Sequence, residues 1–181
     1  MKRKISKAIL DLFGWKLGPE GDYVPKCVIC VAPHTSNWDF PLGKLYYNAI
    51  GRNARFLIKK EWFFFPFSLF FNWLGGVPID RRKNMSVTEQ MAEEFNRQEQ
   101  FHLAVTPEGT RKKADEWKKG FYYIAEKANV PILIAYFDYA KKEIGTKGIF
   151  YPTGDAVNDI ETIRSYYKGT TACHPKNFAD I

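Results

Sequence analysis

Short apolar runs alternate with segments of helical periodicity along most of this chain, and that alternation leaves few folds open. Lys26-Cys27-Val28-Ile29-Cys30-Val31-Ala32 is a continuous apolar run after its lysine, rich in β-formers and too short for a typical helix, so it reads as a buried strand. The turn cluster Gly18-Pro19-Glu20-Gly21-Asp22 precedes it. A helix follows, with Leu42, Leu45, Tyr46 and Ala49 on one face. Arg55 to Ile58 is a second strand, Ser86 to Gln98 a helix carrying Val87, Met91, Ala92 and Phe95, and Phe101 to Val105 a third strand. Phe121 to Asn129 then reads as a helix, Val130 to Phe137 as a strand, and the tail as one or two hairpin-like strands with a small helix near Asp159 to Tyr167. Strands alternating with helices predict a single-domain α/β sandwich, with a central mostly parallel sheet flanked by helices.

Composition narrows the classes further. The chain has 181 residues, 45% of them hydrophobic and 17% aromatic, and a formal charge of +7. One compact domain with a sizeable core is expected, and a disordered chain is not. No stretch approaches the ~18 to 20 apolar residues that a membrane-spanning helix requires. Three cysteines and no signal-type cleavage site point to a reducing cytoplasm. Cys27 and Cys30 lie three apart on a strand and point to opposite faces, so they read as core residues and no metal site is expected. Dinucleotide, P-loop and nucleophile-elbow glycine patterns are missing. The positive charge suggests phosphate-bearing partners or an anionic membrane surface.

Two stretches carry chemistry. His34 sits between a strand end and a helix start, and Asp39 follows five residues later. A carboxylate there can orient the imidazole so that its other nitrogen accepts a proton from a hydroxyl. Asp39 can equally complete a capping box with Ser36, leaving His34 a loop residue. Gly75 and Gly76 precede Arg81 at a turn, and Thr106-Pro107-Glu108-Gly109-Thr110-Arg111 follows a strand. Ligand sites of open α/β sheets lie at the carboxyl ends of strands, which places His34 and Arg111 on one crevice, and arginine forks match phosphate oxygens. With no nucleophile-elbow serine for the histidine to activate, the hydroxyl is expected to belong to the substrate.

Two further segments are apolar in unusual places. Trp62 to Trp73 holds six phenylalanines, one proline and no charge; about half of it is expected in the core, with an acyl groove or membrane surface as the other readings. Residues 1–18 form an amphipathic helical segment with Ile5, Ile9, Leu12 and Phe13 beside Lys2, Arg3, Lys4 and Lys7. That segment reads as a possible membrane contact, or as a stripe packed on the domain formed by residues 19–181.

Taken in order, His34-Thr35-Ser36-Asn37-Trp38-Asp39, Gly76-Val77-Pro78-Ile79-Asp80-Arg81, Pro107-Glu108-Gly109-Thr110-Arg111 and Val130-Pro131-Ile132 resemble the four motifs of the glycerophospholipid acyltransferases, the 1-acylglycerol-3-phosphate acyltransferase family. Lys59-Lys60-Glu61 looks like that family's lysine-bearing segment. The resemblance covers residues 26–137 and implies His34 as general base and Asp39 as its partner. It also implies an acceptor pocket of Arg81, Glu108, Gly109, Thr110 and Arg111, with Lys59 and Gly76 as further substrate-binding positions. No cofactor is implied: an acyl-CoA or acyl carrier protein thioester is the co-substrate, and a lyso-lipid hydroxyl attacks it directly. The implied setting is the inner face of the cell membrane, peripherally bound, with no nucleic acid partner. Pro78 stands where the family usually has a larger apolar or aromatic residue, so acceptors other than lysophosphatidic acid stay open. A non-catalytic headgroup-binding module and a hydrolase using the same base are the competing readings.

Overall fold

The structure is a computed structural model, and it describes residues 1–80 and 85–179. Its elements are α1 (Lys2–Leu12), β1 (Lys16–Leu17), β2 (Lys26–Ala32), α2 (Asp39–Ala49), β3 (Ala54–Lys59), α3 (Phe67–Leu74), β4 (Gly76–Ile79), α4 (Val87–Arg97), β5 (Phe101–Val105), α5 (Gly120–Ala128), β6 (Ile132–Asp138), β7 (Glu143–Phe150) and α6 (Ala156–Ser165). The sheet has seven strands in the order β1-β7-β6-β2-β5-β3-β4. Every pairing is parallel except β6 with β7, where a register shift falls between Ile134 and Ala135.

The unbroken apolar run of β2 is explained by its place. It pairs with β5 on one side and β6 on the other, and helices cover both of its faces. Cys27 and Ile29 join one core with Leu10, Leu42 and Tyr46 from α1 and α2. Val28, Cys30 and Ala32 join the opposite core with Phe95, Phe121 and Ile163 from α4, α5 and α6. A strand buried on both faces cannot alternate polar and apolar residues, which is why its sequence does not. The two cysteines accordingly face opposite cores, and burial pushes the Cys27 thiol up to about 12. Among the described residues no cluster of histidines, cysteines or carboxylates could hold a metal ion, and no helix is long and apolar enough to cross a membrane.

One expectation needs correction. None of the Trp62 to Trp73 run is in the core: Phe63 and Phe71 are half-buried, while Phe65 is 79% and Trp73 71% exposed. At the edge of the sheet α3 touches mainly β4, so among the described residues the segment packs chiefly on one side. In α1 the packed positions are Ser6 and Leu10, which face α2, whereas Ile5, Leu12 and Phe13 stay exposed. The helix both packs and keeps most of its expected stripe free.

Candidate active site

β2 delivers the chain to His34 at the carboxyl end of the sheet, and α2 starts at Asp39. The His34 Nδ1 lies 3.0 Å from Asp39 Oδ2. That same oxygen accepts from the Thr35 and Ser36 backbone N–H groups at 3.0 and 2.9 Å, and Oδ1 accepts from the Tyr139 hydroxyl at 2.5 Å. Asp39 is 2% exposed, so four donors surround a carboxylate shut off from water. Capping and orienting are therefore one interaction network. The Ser36 hydroxyl itself accepts from Trp38 N rather than from Asp39 N, because helical geometry begins at Trp38 instead of just after Ser36.

With Nδ1–H donated to Asp39, His34 Nε2 carries a free lone pair; this tautomer follows from the hydrogen-bond network. The ring is 19% exposed and opens onto a mostly apolar cavity of about 360 Å³. Its walls include Ile29, Val31, Phe56, Ala104 and Phe137, and it runs between α2 and the sheet toward Ala54 and Arg55. Arg111 lines the same cavity, and its Nη1 donates to Asn37 Oδ1.

Glu108 lies behind His34. Its carboxylate accepts the His34 backbone N–H, at 2.8 Å to Oε2 and 3.2 Å to Oε1, and the side chain is buried. Burial pushes its carboxyl up to about 7, against the His34 N–H bond and ring, which lower it, while Asp39 adds to the rise. Gly109 has φ of 64°, in the left-handed region that favours glycine, and this turn presents Arg111 to Asn37. Thr110 is exposed, its Oγ1 accepting from Lys112 N at 3.2 Å.

The expected constellation thus divides. His34, Asp39 and Arg111 meet at the cavity. Glu108 holds the His34 loop from behind, and Gly109 shapes the turn. Lys59 borders a separate groove with Trp62 and Lys118. Gly76 is buried where α3 meets β4: a Cβ there would stand 3.1 Å from the Phe71 carbonyl oxygen. Arg81 lies outside the described residues. Two participants were missed, Tyr139 and Asn37. Tyr139 follows β6 at the same carboxyl edge, which was the available signal; burial and the Asp39 carboxylate drive its phenol far up.

A mostly parallel α/β sheet with a carboxylate-held histidine at its carboxyl edge describes a class, and the family follows from the sequence. The chain belongs to the acyltransferase family, whose model matches residues 19–137. Among solved structures, it is similar to the 1-acyl-sn-glycerophosphate (LPA) acyltransferase PlsC from Thermotoga maritima, with 18% identity and a TM-score of 0.61 over 96% of this chain and 80% of that one. At that identity the likeness is one of fold. No curated protein sequence matches this chain.

Proposed function

We propose that the chain moves a fatty acyl group from a CoA or acyl carrier protein thioester to the hydroxyl of a lyso-phospholipid or related lipid. The observation that carries this reading is the His34–Asp39 pair at the mouth of an apolar cavity rimmed by Arg111. The acceptor oxygen attacks the thioester carbonyl as His34 Nε2 takes its proton. The new C–O bond forms, the C–S bond breaks, and the proton passes from the imidazolium to the departing thiolate. No acyl-enzyme is needed. While the ring is charged, Asp39 offsets that charge at 3.0 Å.

Glu108 serves as a positioning residue through the His34 backbone, and Gly109 and Thr110 carry the turn that sets Arg111. In this reading Arg111, joined by Arg81, binds an acceptor phosphate, and the apolar cavity takes the acyl chain. Lys59 and Gly76 contribute at a distance, by the neighbouring groove and by seating α3.

The acceptor resides in a bilayer, and the exposed rings of Trp62, Phe64, Phe65, Phe67, Phe70 and Trp73 form an apolar surface suited to its interface. Residues 1–18 add Ile5, Leu12 and Phe13 beside basic side chains. This supports peripheral docking at the inner face, where free thiols persist.

The test is an acyl-transfer assay with several thioester donors against lyso-lipids with and without phosphate. Arg111→Gln should raise the KM of phosphate-bearing acceptors about tenfold or more, from ~1.5 to 3 kcal/mol per charge-assisted bond, and that of phosphate-free acceptors less. Equal effects on both classes would remove the phosphate contact. Thioester hydrolysis with no lipid product would favour a hydrolase, and binding with neither product a headgroup-binding module.

A further inference from the structure

A second recess lies at the amino ends of the strands, the pole opposite His34. It encloses about 680 Å³ between the start of α1, the end of α2 and the first residues of β3 and β5. Lys2, Arg3, Arg52 and Arg55 line it, and among the described residues no carboxylate does. None of the four makes an ion pair among the described residues.

The Arg3 and Arg52 guanidinium groups are held in place by backbone rather than by counter-charges. Arg3 Nε donates to the Ala49 carbonyl at 2.9 Å, which leaves both of its Nη groups for a ligand. Arg52 gives one N–H from each Nη to the carbonyls of Glu20 and Gly21, both at 3.1 Å, and lies over the Tyr23 ring. Arg55 lines this recess and also the apolar cavity. Neighbouring Lys44 is lowered by burial first, then by Arg55 and Lys2. Cations gathered without a counter-charge repel one another, and an anion reverses the sign of that interaction.

His102 specifies more than charge. It lines the same recess and is 4% exposed. Its Nε2 lies 2.7 Å from the Val24 carbonyl oxygen, so that nitrogen carries the hydrogen. Nδ1 is then an acceptor, buried with no partner, and a buried unpaired acceptor is costly. Burial lowers the pKa of this imidazole, with Arg52 adding to the effect and the Val24 bond opposing it, which favours the neutral ring. A bare anion satisfies the arginines and does nothing for Nδ1. A ligand that also brings an O–H satisfies both.

We propose that this recess binds a phosphate ester carrying a free hydroxyl, with the phosphate on Arg3, Arg52 and Arg55 and the hydroxyl donating to His102 Nδ1. The same chemistry is offered by a soluble polyol phosphate and by a phosphatidylglycerol headgroup. The site is separate from the acyl-transfer reading and does not depend on it.

The experiment uses the full chain carrying His34→Ala, Arg81→Gln and Arg111→Gln, so that phosphate held at the other pole does not contribute. Glycerol 3-phosphate is titrated by calorimetry and by the ¹⁵N signals of the His102 imidazole, with ethyl phosphate as the hydroxyl-free comparison. Saturable one-to-one binding that moves the Nδ1 signal is expected, with ethyl phosphate weaker. Arg3→Gln and Arg55→Gln should each weaken it about tenfold, and Arg55→Lys, which keeps the charge, should recover part of the loss. Vesicles of phosphatidylglycerol and of phosphatidylcholine distinguish the sources. A phosphatidylglycerol preference abolished by the two glutamine substitutions assigns the lipid headgroup. Loss of glycerol 3-phosphate binding with that preference intact assigns the soluble ester. Absence of saturable binding, indifference to both arginine substitutions, or equal affinity for ethyl phosphate with an unmoved Nδ1 signal would overturn the proposal.

Discussion

Replacing Asp39 by Asn separates the charge of the His34 partner from its shape. The Asp39 oxygen facing His34 accepts from the imidazole and from two backbone N–H groups. An asparagine therefore places its carbonyl oxygen there, since its amide would meet three donors. The amide then faces Tyr139, whose hydroxyl oxygen has lone pairs to accept it. Ring orientation and the start of α2 should survive, and only the negative charge is lost. At an effective dielectric of ~20, unit charges at the observed 3.0 Å attract by about 5.5 kcal/mol, or about four decades in rate. The whole benefit of a positioned base is ~10² to 10⁴, which caps the loss in the same range. We expect kcat to fall 10²- to 10⁴-fold with acceptor KM little changed and the melting temperature within a few degrees of wild type. Steady-state kinetics with a thiol-detecting reagent, alongside thermal melts, measures both. A folded Asp39→Asn protein with near-normal turnover would refute the reasoning and leave Asp39 as a capping residue only.

Other consequences follow from the same geometry. Glu108 has a folded pKa raised from 4.5 to about 7, so the folded chain holds a proton that the unfolded chain releases between those values. Its contribution to stability is full below the unfolded pKa and is lost as pH rises through about 7, on the order of 3 kcal/mol. Glu108→Gln should flatten that part of the pH dependence in urea melts, and an unchanged slope would assign it to other groups. Ala104 lines the apolar cavity; Ala104→Leu should shift donor preference toward shorter acyl chains, whereas unchanged chain selectivity would place the chain elsewhere. Phe65 and Trp73 are largely exposed, and large apolar side chains contribute about 1.5 to 3 kcal/mol each on burial. Phe65→Ser with Trp73→Ser should weaken liposome sedimentation at least tenfold with little effect on melting, and undiminished binding would move the docking surface to α1.

The layout of the fold was legible wherever local pattern and tertiary demand agree. The Lys26–Ala32 run reads as a buried strand and is one, and the Met91 and Phe95 spacing of α4 matches its buried side. His34 and Asp39 were legible because five residues suffice to bring them together at a strand end. Glu108 was found, but its direction was not: its partner is the His34 backbone, 74 residues earlier. Tyr139 stands 100 residues from Asp39, and nothing local announces that contact. The aromatic run was misplaced because hydrophobicity predicts burial only when a surface is available to cover it, and α3 sits at the sheet edge.

The central claim is that His34 drives transfer of an acyl group to a lipid hydroxyl. Free thiol and acylated lipid should be quantified together in one reaction, for the wild-type chain and for His34→Ala, with a lyso-phospholipid acceptor. The account predicts one thiol released per lipid acylated in the wild type, and loss of both signals by ~10² to 10⁴ in a folded His34→Ala protein. Thiol release that outruns lipid product, or a His34→Ala chain that still acylates the lipid at the wild-type rate, would contradict it.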